Sequence, residues 1–310
     1  MLKLGSLTLT AGLPASLEAP SINVLRAFAG NRHIQEGDMQ LAGLGELLAV
    51  VQRASLSSGD VTLRTLDAIS LRVAVADLNE WEKRWALILG AEGSFNFRQH
   101  LPFTSLTWYR LALNAIPIGG ALGALRSNST TPASHPTPLA LADGLEAALN
   151  LISQYSTKEA AMSGPQSVGG SALTMTPSAV KAFIYAPDTH FVTYTFAVVF
   201  LVLLFDRGCI SPNLNPLPNI EGQPREPVSQ NSPLYRAVQL ASSVFADAAQ
   251  KTPRHPAVRY KDMVAKALFV LSESGVPVED AAGTAIADML ESLLASDQEW
   301  TFLKALGYRG

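Results

Sequence analysis

The stretch FVTYTFAVVFLVLLF, from Phe191 to Phe205, decides the fold. Apart from Thr193 and Thr195 every position in it is apolar or aromatic, and Asp188, His190, Asp206 and Arg207 fence the two ends. As a helix this run rises about 1.5 Å per residue, or roughly 22 Å, whereas a bilayer core asks for around 20 apolar residues. A helix apolar on all sides is buried in lipid or in a large protein core, and the short run between charged fences favours the core. A buried strand is the competing local reading, because periodicity cannot separate the two in an all-apolar segment.

The composition agrees with a chain that hides much of itself. Hydrophobic residues make up 48% of the 310 and charged residues only 16%, well under the roughly 25% usual for soluble domains. The net charge is -3 with no basic run, so the electrostatic footprint of a protein that neutralises phosphates is missing and no direct nucleic-acid binding is expected. A single cysteine, Cys209, excludes an intramolecular disulfide and any site built from several thiolates; it reads as a small buried residue. The first residues lack the apolar core and small-residue cleavage site of a signal peptide, so export is not expected, and Asn128-Ser129-Thr130 is a loop triplet despite matching a glycosylation pattern.

Outward from the central run, helical periodicity recurs. Asp38 opens a stripe of Leu41, Leu44, Leu47, Leu48 and Val51, weakened by Gly43 and Gly45. A second helix is expected over Leu63 to Val75. Asp77-Leu78-Asn79-Glu80 has the spacing of a capping box and predicts a new helix start, after which Trp81 and Trp85 turn inward together at i and i+4. Phe103 to Ala115 is the next helix, stopped by Pro117; Leu139 to Tyr155 is the cleanest, and Thr176-Pro177 starts a short one through Ala186. Ser232-Pro233 caps Leu234 to Gln250, and Tyr260 to Ser274 follows. Two further helices are expected, one from Pro277 to near Ala295 and one from Asp297 carrying Trp300, Leu303 and Leu306. No alternation is sustained enough for a sheet. The expected class is all-α: one large multi-helix domain over 1–310 around a buried central apolar helix, with an irregular segment over 1–20 and long Pro/Ser/Gly-rich flexible loops over 126–138, 156–176 and 210–233.

Chemistry-bearing motifs are scarce. Gly43-x-Gly45 lacks a third glycine and a preceding strand, and Gly164 to Gly169 has one residue too many for a nucleophile elbow. The histidines at 33, 100, 135, 190 and 255 share no metal-ligand spacing and read as loop or helix-end residues. Glu279-Asp280 and Asp288 with Glu291 sit where helix starts and solvated faces put carboxylates. No catalytic residue, metal site or cofactor is expected, and the chain reads as a non-enzyme.

The order of segments carries a resemblance. Leu78-Asn79-Glu80-Trp81-Glu82-Lys83-Arg84-Trp85, then Leu106-Thr107-Trp108-Tyr109-Arg110-Leu111-Ala112-Leu113-Asn114, resembles the order of Trp pair and Tyr-Leu-Leu-Asn helix in the regulatory (middle homology) region of fungal zinc binuclear cluster transcription factors. A helix resembling Leu139 to Tyr155 precedes a Pro-Asp segment there, as Ala186-Pro187-Asp188 leads here into Phe191-Val192-Thr193-Tyr194-Thr195-Phe196-Ala197. The likeness runs from about Asp38 to Phe205 and is looser elsewhere. It implies an all-helical regulatory domain of a nuclear factor acting on RNA polymerase II genes. In that family a six-cysteine zinc cluster and a dimerising coiled coil lie N-terminal to this region. One cysteine cannot build that cluster, so either this sequence begins after such a module or it comes from a lineage that lost it. Zinc and DNA binding are then family properties that this chain does not carry.

Such a domain is expected to hold an apolar small-molecule signal or a co-regulator protein against the central helix, as a monomer or a homodimer. Trp108, Tyr109, Phe191 and Tyr194 are the candidate pocket residues, with ordinary core packing as the competing account of them. The other function classes are a helical enzyme acting on an apolar small molecule, which lacks any DDxxD cluster here, and a membrane-associated protein.

Overall fold

The computed structural model describes residues 22–30, 35–57, 66–89, 101–126, 138–154, 181, 183–186, 188–217, 228–251 and 255–273. These residues are 84% helical, with eight helices and no strand among them, so the chain is all-α. In order the helices are α1 Ile22–Ala29, α2 Glu36–Ser57, α3 Ala68–Ile88, α4 Leu101–Arg126, α5 Pro138–Ser153, α6 Asp188–Asp206, α7 Pro233–Lys251 and α8 Ala257–Glu273. The expected segments 1–20, 156–176, 277–295 and 297 onward lie outside the described residues, as does nearly all of 126–138. The described residues divide into two compact units, the first through Ala140 and the second from Leu141.

In the first unit α2, α3 and α4 pack on one another, and α1 lies on α2. α3 begins ten residues earlier than the capping box at Asp77 predicts. Asp67 is the N-cap, its Oδ1 accepting the backbone N–H of Ile69 at 2.8 Å and of Ser70 at 3.0 Å, and the helix passes straight through Asp77 to Glu80. Leu71, Ala74, Leu78, Trp81 and Trp85 form one buried seam along its whole length, which rewards a single helix over two short ones. α4 likewise runs past the expected stop at Pro117 to Arg126. Proline removes one helical N–H, but Ala115, Ile116 and Ile118 are buried around it, and that burial offsets the lost bond.

In the second unit α6 packs on α7 and α8, which also pack on each other. The run from Thr193 to Phe205 is buried at every position, as its composition requires. Its two threonines are tolerated because each hydroxyl donates back into the helix: Thr193 Oγ1 to the His190 carbonyl at 3.0 Å and Thr195 Oγ1 to the Phe191 carbonyl at 2.7 Å. No helix among the described residues is long and apolar enough to cross a membrane.

The exit of α6 is fixed tightly. Gly208 adopts φ 68°, its N–H bonds the Phe205 carbonyl and the Cys209 N–H bonds the Leu204 carbonyl, both last-turn acceptors that would otherwise lack donors. The stretch drawn as a flexible loop over 210–233 is built at both ends. Ile210 bridges Pro216, the Ser211 N–H bonds the Asn215 carbonyl at 2.9 Å, and buried Leu214 is held at φ 62°, a left-handed conformation costly for leucine. The Leu234 N–H donates to the Pro212 carbonyl at 3.1 Å, tying this turn to the start of α7. There Ser232 caps the helix as its sequence predicts, Oγ accepting from the Tyr235 N–H at 3.3 Å, with Pro233 in the first turn.

Candidate functional site

Each unit carries one concentration of polar groups inside its core. In the first, Glu46 of α2 is 1% exposed. Its Oε1 accepts from Arg84 of α3 and from Arg26 of α1, the latter at 3.1 Å, while its Oε2 accepts the Trp85 indole N–H at 2.8 Å. One carboxylate therefore joins three helices. Trp81 completes the arrangement, stacked on Trp85 with ring centres 6.2 Å apart and donating its indole N–H to the Gly43 carbonyl at 3.0 Å. The inward pair of indoles is as the i, i+4 spacing predicts, but Glu46 was not legible: on an amphipathic stripe it reads as an ordinary helix-face charge.

Gly43 is the signal that could have led there. A Cβ built on it would stand 3.0 Å from Trp85 Cε3 and 3.2 Å from Cδ2, so this glycine, which costs α2 helix propensity, is what lets the indole lie on the α2 backbone. Gly43→Ala should therefore destabilise the chain by about 1–2 kcal/mol despite alanine's better propensity, because overpacking costs roughly 1–3 kcal/mol and the propensity gain returns at most about 1. Urea unfolding measures it; a more stable variant would show that Trp85 shifts freely.

Further along the first unit, Arg110 of α4 bonds Glu82 of α3 at 2.9 Å. Asn114, buried one turn on, donates Nδ2–H to the Arg110 carbonyl at 2.9 Å, which fixes the amide orientation and leaves its Oδ1 without a protein donor. The candidate pocket residues Trp108 and Tyr109 are buried on this same helix.

The other two candidates, Phe191 and Tyr194, belong to the second unit, where they meet around Phe183. Phe183 stands edge-on to Phe191 at 4.9 Å, to Phe245 at 5.1 Å and to Tyr194 at 5.6 Å. The Tyr194 hydroxyl, offered from sequence as a polar handle for a ligand, donates to the Ile152 carbonyl at 3.0 Å and so satisfies a last-turn acceptor of α5. Of the four candidates, then, the structure gathers Phe191 and Tyr194 into one aromatic cluster and sets Trp108 and Tyr109 in the other unit.

Two histidines border that cluster. His255, read from sequence as a loop or helix-end residue, is buried at the start of α8 and ring-contacts Phe191 at 4.9 Å. Its Nδ1 accepts the Ala257 N–H at 3.1 Å, so Nε2 carries the proton it gives to the Ile184 carbonyl at 2.7 Å. His190 lies within 3.4 Å of the Gln154 amide nitrogen, and burial of its ring pushes its pKa down to about 4. A base held below its unfolded value binds more protons when unfolded, so its contribution is whole above about pH 6.5 and is lost as pH falls toward 4. Between pH 7 and pH 4 the second unit should lose roughly 2–3 kcal/mol from this group, and His190→Gln should flatten that slope in unfolding curves taken across the range.

Neither unit offers evident covalent or metal chemistry among the described residues. Cys209 is buried, and burial pushes its thiol up to about 11 against the pull of Arg207, which suits an inert side chain. No group of three or more His, Cys, Asp or Glu able to hold a metal occurs among the described residues. Compared with known proteins, the chain matches no family model, no curated protein and no solved structure.

Proposed function

We propose that this chain is the regulatory domain of a nuclear fungal transcription factor of the zinc binuclear cluster class, controlling RNA polymerase II transcription and responding to a small apolar ligand or a co-regulator protein. One observation carries the reading. The residues that bear the resemblance are those on which the two cores are built: Leu78, Trp81, Trp85, Leu106 and Tyr109 in the first unit, Phe191, Tyr194, Phe196 and Ala197 in the second. A sequence likeness confined to solvent-facing positions would carry little weight, whereas one seated in the packing speaks for a shared fold. On the ligand side, Asn114 Oδ1 is a buried acceptor on the helix that carries Trp108 and Tyr109, and it suits an apolar molecule bearing one hydrogen-bond donor. Differential affinity of such a molecule for two states of the domain is what would change transcription.

The test is to fuse the chain to a heterologous DNA-binding module and read a reporter carrying that module's site. Reporter output several-fold above or below that of the module alone is expected. Output equal to the module alone, from a folded fusion present in the nucleus, overturns the reading.

A further inference from the structure

α1 lies on the first unit without entering its core. Asn23, Val24, Arg26, Ala27 and Phe28 are exposed, and Leu25 and Ala29 are only half-buried. An isolated helix shorter than about 12–15 residues is marginal in water, so the eight residues Ile22–Ala29 are helical because they are docked. Arg26 makes the one side-chain polar contact of α1 among the described residues, its Nε and one terminal nitrogen each 3.1 Å from Glu46 Oε1. Its side chain is nonetheless 49% exposed.

The carboxylate does not depend on that contact. Oε1 also accepts from Arg84 and Oε2 from the Trp85 indole, so Glu46 keeps a cation and a neutral donor when α1 departs and no buried charge is orphaned. The surface under α1 is built differently from α1 itself. α2 is buried at every position from Ala42 to Val51, and Ala42, Glu46 and Ala49 share one of its faces at spacings of four and three. α1 packs on α2 and reaches this face through Arg26, so lifting α1 away uncovers an apolar strip with an ionised carboxylate at its centre. The resident helix shows what such a strip selects: an arginine for the carboxylate, with an apolar residue just before it and another three positions after, as Leu25 and Ala29 stand about Arg26. We propose that this face of α2 is a docking site for an arginine-bearing amphipathic helix of a partner protein, and that α1 is its resident occupant, displaced when the partner binds. Tethering holds α1 at an effective concentration on the order of millimolar, so a partner helix succeeds by being longer and covering more of the strip. This inference does not rest on the transcription-factor reading.

Amide exchange and the Trp85 indole N–H resonance of the full chain test it, since that N–H bonds the same carboxylate as Arg26. In the parent the amides from Arg26 to Gly30 should exchange by local opening, about tenfold or more faster than those of α2 and α3. Arg26→Glu, which sets a second carboxylate against Glu46, should abolish their protection and move the indole resonance, yet shift the thermal midpoint by no more than about 4 °C. A peptide with the sequence of residues 20–36, in excess, should return the indole resonance of the Arg26→Glu chain toward its parent position, and the same peptide with Arg26→Ala should leave it unmoved. In the parent chain the peptide should act about tenfold more weakly, because α1 competes with it. Amides of α1 that exchange only on global unfolding, an Arg26→Glu chain that melts much earlier or fails to fold, or an indole resonance indifferent to the peptide or to its arginine overturns the proposal.

Discussion

Ala197→Arg should abolish the cooperative unfolding transition of the second unit. Ala197 is 0% exposed in the middle of α6, with Val198, Val199, Leu201 and Val202 buried around it, so a guanidinium placed there meets neither water nor a counter-charge. An unpaired buried charge costs several kcal/mol and the added volume roughly 1–3 more, a sum above about 5 kcal/mol. That approaches or exceeds the whole stability of an ordinary domain. Val192 provides the contrast, being the one position between Phe191 and Phe205 that keeps some exposure. Val192→Lys can lead its ammonium to water along a flexible stem and should cost no more than about 1–2 kcal/mol. Thermal denaturation followed by circular dichroism separates the two. An Ala197→Arg chain that melts like the parent would mean that α6 is not the core.

The second large effect is expected at Glu46. Glu46→Leu leaves Arg84, whose side chain is only 28% exposed and whose Nε already has no acceptor, with no carboxylate nearer than the 3.8 Å contact to Glu80. The Trp85 indole N–H is orphaned at the same time. Removing one partner of a fully buried pair costs about 3–5 kcal/mol because the other charge stays behind; Arg84 keeps some access to water, so about 2–3 kcal/mol is expected here, the orphaned indole N–H included. Glu46→Leu/Arg84→Met, which removes both, should recover much of that loss, and the size of the recovery measures their coupling. Urea unfolding of the two variants is the measurement. If Glu46→Leu alone is as stable as the parent, the carboxylate is not what joins α1 and α3 to α2.

How much of this was legible in the sequence depended on how local the cause was. The burial of α6 followed from composition alone, because an all-apolar helix has no side to give to water. The Trp81 and Trp85 pair and the Ser232-Pro233 cap were equally local, each fixed by residues within one turn. The start of α3 was not. Asp67 and Asp77 both offer a capping carboxylate, and the choice between them lies with the buried seam that begins at Leu71. Pro117 misled for a related reason: the rule that proline ends a helix concerns one hydrogen bond, while the continuation of α4 is decided by the neighbours that bury Ile116 and Ile118.

The candidate site divided along the same line. Trp108, Tyr109, Phe191 and Tyr194 could be chosen as large aromatics with polar tips, but their partners could not. That the Tyr194 hydroxyl reaches the end of α5, and that His255 bolts the turn at Ile184 to the start of α8, rest on contacts between residues 42 and 71 positions apart. Glu46 is the sharpest case, since its meaning comes wholly from Arg26, Arg84 and Trp85 on other helices.

By itself, then, the sequence determined an all-helical chain with α6 inside it and the faces that its helices present, because hydrophobic period and capping act within a few residues. Only the tertiary structure decided which polar groups share a core, where α3 begins, and that the aromatics fall into two units, because those outcomes depend on which distant side chains arrive to satisfy a charge or fill a volume.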